Sequence, residues 1–290
     1  TSQKMAQLNF EPHGNSNRLD EIGILSDSLN VLSDNLQLTL TELKKSNSEL
    51  EAEILKEREL EQKQQEFFSA ASHELKTPLT ILKGHLLGML NKVKGYENHE
   101  LYMERSLAVV EKMETLVKEL LYVSKTGGKQ KSEYRTIDFA ELLRIQIADV
   151  SDLLSEKGIS LDVDIPDKLL CEVDPAQMER AIQNVLVNAI RYSPNGEMIC
   201  ISLSNEKNTV YCEIENTGVH IPEDMVSHLF EAFYRADTSR NRNTGGTGLG
   251  LYIVRKIMEL HHAKYGIKNS SSGVKFWFEI PQKRNVISSI

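Results

Sequence analysis

The sequence predicts an α+β chain of several parts: a long solvated helix, a helical hairpin and a C-terminal α/β layer. Three observations carry this reading. Positions spaced alternately by three and four run from Leu29 to Phe67, seven of the twelve apolar and none of the run Gly or Pro, an imperfect heptad pattern as in one long helix. Two amphipathic stretches then flank the polar break Lys94-Gly95-Tyr96-Glu97-Asn98, the pattern of an antiparallel hairpin. Beyond Thr126-Gly127-Gly128-Lys129-Gln130-Lys131, a flexible linker by composition, helical and strand-like periodicities alternate.

Each element follows in order. Residues 1–35 combine a loop with a helix start at Asp20-Glu21-Ile22-Gly23, where acidic side chains favour the positive helix pole. Residues 36–66 continue the Leu29–Phe67 seam, in which Leu29, Leu32, Leu36, Leu43, Leu50, Leu60 and Phe67 are apolar. A parallel two-stranded coiled coil explains this seam; a lone solvated helix is the alternative. Residues 67–126 form the hairpin. Its second helix carries Leu107, Val110, Met113, Val117, Leu120 and Leu121 on one side. One hairpin cannot bury two broad apolar faces, so a homodimeric four-helix bundle is expected. Residues 132–284 read as a helix over Phe139–Glu156, strands at 159–165 and 169–173, and a helix over Pro175–Arg191. A strand pair (Met198–Ser204, Thr209–Glu215), a short helix after Pro222, a helix over Leu249–His261 and two closing strands complete a mixed sheet with helices on one face.

Composition excludes several classes. The net charge is −8, and residues 1–66 hold thirteen Asp/Glu against seven Lys/Arg. No basic footprint for nucleic acid exists. Cys171, Cys200 and Cys212 form no C-x-x-C pair, which reads as buried thiols rather than a disulfide framework or zinc site. No apolar run of about 18 residues is present, and no signal peptide. Beginning at Thr1 inside a polar stretch, the chain reads as a segment of something longer.

Four segments can carry chemistry. His73 lies in Ser72-His73-Glu74-Leu75-Lys76-Thr77-Pro78, with Thr77 one turn later on the same face. Pro78 removes a backbone donor and is expected to bend the helix. Glu74 can hydrogen-bond one ring nitrogen and leave the other more nucleophilic. A phosphoryl acceptor needs an exposed neutral imidazole, and a helix surface offers one. Asn184 and Asn188 share a helix face, with Arg191 and Tyr192 a turn later; carboxamide oxygens suit Mg²⁺. Glu215-Asn216-Thr217-Gly218-Val219-His220-Ile221-Pro222 follows a strand, and Gly218 lets the backbone approach a ligand. Gly245-Gly246-Thr247-Gly248-Leu249-Gly250-Leu251 opens a helix, whose free amides attract phosphate. The P-loop and the protein-kinase H-R-D motif are both absent. The polar stretch 235–247, with Arg235, Arg240 and Arg242, fits a lid over a triphosphate. Read singly, each segment is equally an ordinary helix face or turn.

In this order and spacing the segments resemble the sensor histidine kinases of bacterial two-component systems, over residues 67–281 and weakly over 1–35. Phe67–Thr80 looks like the H-box, Asn184–Ser193 the N-box, Asn216–Ile221 the first glycine box, Phe230–Arg235 the F-box and Gly246–Leu251 the second glycine box. The resemblance implies a Bergerat-type α/β sandwich that binds ATP, attached to a dimerising hairpin and preceded by a HAMP-like segment that would follow a membrane helix. It implies His73 as phosphoacceptor assisted by Glu74, with Thr77 supporting dephosphorylation of the partner. Asn188, with Asn184 beside it, would hold Mg²⁺. Arg191, Tyr192, Asn216, Gly218, Ile221, Arg235, Gly246, Gly248, Leu249 and Gly250 would line the ATP site. The implied partner is a response regulator with a receiver aspartate. The SASHELKTP and NTG-x-x-IP variants look most like glycopeptide-resistance sensors of the vancomycin type.

One departure stands out. The box that normally opens with Asp opens here with Asn216, and His220 replaces its second Gly. An uncharged acceptor makes a weaker bond to the adenine amine than a carboxylate does. The competing functional readings are a Bergerat-fold ATPase working as a conformational clamp, and a scaffold with a decayed nucleotide site.

Overall fold

The computed structural model describes residues 21–126, 133–235 and 246–282. Two compact units divide the chain between Phe68 and Ser69. The helix start expected near Asp20 falls at Glu21; the loop before it, the linker at 127–131 and most of the expected lid lie outside the described residues.

In the first unit the described chain is entirely helical, part of α1 (Glu21–Leu90). Its seam is uncovered: Leu32, Leu36, Leu43, Leu50 and Leu60 are all exposed. No residue of this stretch can bury them locally, because a single helix has nothing to pack against.

The second unit begins with the rest of α1, which runs through Pro78 without interruption. It turns at Asn91–Asn98 and returns as α2 (His99–Thr126). Gly95 takes φ +99° in this turn, and Asn98 Oδ1 accepts from Leu101 N to start α2. His85 sits opposite α2, with Nδ1 3.2 Å from Ser106 Oγ, and Tyr96 and Tyr102 stack beside it. Leu116 is buried, whereas Leu107, Val117 and Leu121 of the same helix are exposed.

The C-terminal layer is built on a five-stranded sheet ordered β2 (Ser160–Asp164), β4 (Met198–Glu206), β5 (Thr209–Thr217), β7 (Gly273–Pro281), β6 (Lys264–Asn269). β2 runs parallel to β4 and the other pairs are antiparallel. Period-two alternation places Ile199, Ile201, Val210, Cys212, Ile214, Phe276 and Phe278 on the buried face. Ile201 pairs with Ile214, and Ile214 with Phe276. The helix α5 (Pro175–Tyr192) buries Met178, Ala181, Ile182, Val185, Leu186 and Ala189, a three-four stripe against that face. α6 (Glu223–Val226) is the short helix after Pro222, and α7 (Gly250–Leu260) buries Ile253, Val254, Ile257 and Met258. Burying one such aliphatic side chain contributes about 1.5–3 kcal/mol.

Two expectations need correction. The helix expected over Phe139–Glu156 is two, α3 (Phe139–Asp149) and α4 (Ser151–Lys157), parted at Val150 with φ −103° and ψ 7°. The strand β1 (Arg135–Asp138), absent from the expectation, pairs antiparallel with β3 (Leu170–Val173) as a separate two-stranded sheet. Among the cysteines, Cys171 and Cys212 are buried thiols and Cys200 is half-buried; all three are free.

The C-terminal end of α5 is held from a distance. Lys157 Nζ donates to the carbonyls of Ile190 at 2.9 Å, Arg191 at 2.7 Å and Ser193 at 3.0 Å. These are acceptors that a helix end leaves without intrahelical donors, and a cation there also faces the negative pole of the dipole. The opposite end is capped by Asp174, whose carboxylate accepts from Gln177 N.

Candidate functional site

His73 stands on the surface of α1 with 80% of its side chain exposed. Glu74 follows it, but Oε1 lies 3.9 Å from His73 Nδ1, beyond hydrogen-bond reach. The hydrogen bond expected from sequence is therefore not made here; adjacent residues on a helix diverge by a wide angle. Thr77 turns its hydroxyl back to the His73 carbonyl at 3.3 Å. His73 thus offers an exposed imidazole on a rigid element.

The second cluster gathers on α5, the segment after β5 and the start of α7. Asn184 and Asn188 are both half-buried. Asn184 spends its amide nitrogen on the Arg180 carbonyl at 2.8 Å. Its Oδ1 lies close to Gly250, where an added Cβ would sit 3.0 Å away. At Gly246 a Cβ would come within 2.6 Å of Arg191 Nη1. The two glycines therefore let the second glycine segment lie directly against the polar face of α5. Leu249, fully buried, anchors that segment in the core. Gly248 has φ +76°, and its carbonyl accepts from Phe233 N at 2.9 Å. A Cβ there would meet the Phe233 backbone at 2.7 Å.

On the other side Asn216, buried at the end of β5, precedes Gly218. Gly218 has φ +76°, and its amide donates to Ser272 O. Its missing Cβ leaves room for the Glu197 carboxyl, which accepts from Thr217 Oγ1 at 2.6 Å. Ile221 is fixed twice by Asn269: Ile221 N donates to Oδ1 at 2.9 Å, and Nδ2 donates to the Ile221 carbonyl at 2.7 Å. Arg235 is half-buried, and its Nε makes no hydrogen bond among the described residues. Tyr192 is half-buried beside Arg191. The expected N-box, F-box and second glycine box thus converge, and Arg191 with the free amide end of α7 forms an anion-favouring pole. A groove of about 560 Å³, lined by Asp164, Lys168, Leu169, Ser204 and Gln282, lies apart from these residues and shares none of them.

The sequence did not mark two residues of α2 that touch this cluster. Glu119 accepts a hydrogen bond from the Thr247 hydroxyl, and Arg180 and Arg191 act on its charge. Burial nevertheless pushes its carboxyl above the ordinary carboxylate value, against the lowering by Thr247 and the two arginines. The Arg180 guanidinium sits 3.7 Å from the Tyr122 ring centre. No local signal distinguishes these two residues from the solvated face of a hairpin helix.

With this geometry in view, the likenesses to known proteins are direct. Residues 63–128 match the family of His Kinase A (phospho-acceptor) domains. Residues 173–284 match the histidine kinase-, DNA gyrase B- and HSP90-like ATPases. Sensor protein VanSB of Enterococcus faecalis (strain ATCC 700802 / V583) is 32% identical over 97% of this chain and 61% of its own. The chain spans less than two thirds of the length of such curated relatives. The histidine kinase AdeS of Acinetobacter baumannii has the same fold at TM-score 0.62 and 26% identity, over 73% of this chain and 98% of that one. The histidine kinase ThkA, solved in complex with the response regulator protein TrrA, matches at TM-score 0.63 and 26% identity, over 75% of this chain and 61% of that one.

Proposed function

The chain belongs to the bacterial two-component sensor histidine kinases, and from that membership we propose that it moves the γ-phosphoryl group of ATP first to His73 and then to an aspartate of a response regulator. The observation that carries this is the pairing, in one chain, of an exposed helical imidazole with an anion-favouring cleft built by α5 and the second glycine segment. Nδ1 is the ring nitrogen on the Glu74 side, so Nε2 attacks phosphorus, its lone pair forming the N–P bond as the bond to the ADP oxygen breaks. Arg191, the amides before α7 and Arg235 stabilise the charge that spreads over the phosphoryl oxygens. Tyr192, Asn216, Gly218 and Ile221 shape the base and sugar side.

The donors present fit Mg²⁺. Asn184 commits its nitrogen to the Arg180 carbonyl and so turns Oδ1 the other way, and Asn188 brings a second carboxamide oxygen on the same helix face. When bound there, the ion would neutralise phosphate charge. Transfer onward needs the receiver carboxylate to approach His73 along α1, where Leu86 and Leu87 are exposed. Glu74 and Thr77 flank the same point and would position the water that hydrolyses the receiver's aspartyl phosphate to carboxylate and inorganic phosphate. The uncovered leucines of α1 and of the hairpin fit a homodimer. No described helix is long and apolar enough to cross a membrane; a place beneath membrane spans rests on the HAMP-like resemblance of residues 1–35, and a role in glycopeptide resistance on the resemblance of the SASHELKTP and NTG-x-x-IP segments to such sensors.

The test is incubation of the chain with γ-labelled ATP. An acid-labile label is expected, absent in His73→Gln and chased by a receiver protein. A label that survives His73→Gln, or phosphate release with no phosphoprotein, would replace this reading with a clamp-type ATPase.

A further inference from the structure

The segment after β5 is gripped by the turn that joins β6 to β7, residues 270–272 and their flanks. Asn269 exchanges two hydrogen bonds with the Ile221 backbone. The Ser272 carbonyl accepts from Gly218 N at 3.0 Å. Gly273 lies so close to the Asn216 carbonyl that an added Cβ would collide with it. Glu215 reaches the same turn from the other face of the sheet, because successive side chains of a strand alternate and Asn216 faces the opposite way. The Glu215 side chain is buried at the end of β5. Its Oε1 accepts the hydroxyls of Ser270 and Ser272, both at 2.5 Å, and Lys275 Nζ stands 3.1 Å from Oε2. Ser270 Oγ in turn accepts from Ser272 N at 3.2 Å and from Gly273 N at 2.8 Å. A hydroxyl has one proton and two lone pairs, so Ser270 serves both amides only while its proton goes to an acceptor. With donors at both oxygens, position 215 needs a group that accepts at each end, which a carboxylate does and a carboxamide cannot.

We propose that Glu215 is a positioning residue for base recognition: it locks the 270–272 turn, and through that turn sets where Asn216, Gly218 and Ile221 meet the purine ring. The inference rests on the nucleotide reading given above, with Asn216 accepting from the adenine amine. Glu215 touches no ligand itself and acts from behind the wall. A hydrogen bond is steep in distance and angle, so a small shift of the wall costs the amine contact first. Packing against the ring is non-directional and survives the same shift. Glu215 therefore governs the preference for the amino-bearing base more than the affinity for a triphosphate as such.

Calorimetric titration of the chain with two non-hydrolysable triphosphates tests this, one carrying adenine and the other purine without the 6-amino group. Wild type is expected to prefer adenine by about three- to tenfold, the worth of one hydrogen bond. Glu215→Gln and Ser270→Ala are both expected to shrink that preference below about twofold, while the amine-free compound binds all three forms within about twofold. The comparison is internal to each variant, so a lower folded fraction cancels from the ratio, and Ser270→Ala carries the test if Glu215→Gln does not fold. Glu213→Gln removes the other carboxylate on Lys275 without touching the turn, and is expected to keep the wild-type preference. If Glu215→Gln and Ser270→Ala hold the wild-type ratio, or weaken both compounds alike, the positioning role is wrong and the nucleotide site stands. Loss of the preference in Glu213→Gln, or a wild type that binds both compounds equally, overturns the role in the same way. If wild type binds neither compound, the nucleotide reading and the role fall together.

Discussion

Replacing Lys157 by Met removes one cation and leaves three carbonyls at the end of α5 without their donor. The stem volume is nearly kept, so packing changes little. A hydrogen bond to a charged group is worth about 1.5–3 kcal/mol net. The three share a single ammonium, whose own desolvation offsets part of the gain, and the carbonyls recover some hydration when it is gone. The expected loss is therefore about 2–4 kcal/mol rather than three full bonds. For a unit of this size each kcal/mol moves Tm by about 2–4 °C, so scanning calorimetry of the chain should show a fall of about 4–16 °C in the transition of the ATPase part. Arg191 sits on the last turn that frays, so nucleotide affinity should fall in the same variant. A fall of less than about 2 °C would show that the three contacts are replaced by water at no cost, and the long-range cap would lose its importance.

Two further outcomes follow from the geometry. Gly248→Ala places a Cβ against the Phe233 backbone at a residue with φ +76°; backbone cannot yield as a side chain can, so a loss of about 1–3 kcal/mol and weakened nucleotide binding are expected, and an unchanged denaturation midpoint would refute it. Burial tends to raise the Glu215 carboxyl, but hydrogen bonds from Ser270, Ser272 and Lys275 hold it below the ordinary 4.5. Its contribution to stability is present above that value and is lost as pH falls through the lower folded value. The stability gap between wild type and Glu215→Gln should thus narrow on going from pH about 6 to pH about 3.5, measured by denaturant unfolding; a widening gap would contradict the sign.

How much the sequence disclosed depends on the range of the interaction responsible. The hairpin turn was readable because Gly95 and Asn98 carry their own local reasons to turn. β4, β5 and β7 were readable because alternation reports a buried face directly. β1 was not: Arg135-Thr136-Ile137-Asp138 has no clear alternation, and its partner β3 lies more than thirty residues on. The break at Val150 was hidden because no Gly or Pro marks it. At the candidate site, Gly218 and Gly248 were visible as motif members and prove to be left-handed residues. Lys157, Glu119 and Tyr122 were invisible, since each acts on a helix distant in sequence and none has an unusual neighbourhood of its own.

The double tie between Ile221 and Asn269, with the Gly218 amide held by Ser272, has a consequence for motion. One wall of the cleft is stapled to the sheet through the β6–β7 hairpin and can shift only if those strands shift. Whatever accommodation a ligand demands falls mainly on the outer end of the opposite wall, where Gly246 rests on the Arg191 guanidinium, while Leu249 and the Phe233–Gly248 bond hold the inner end. The cleft thus works as a vice with one fixed jaw and one that gives at its tip, and substitutions that change how fast ligand enters or leaves should concentrate at that tip.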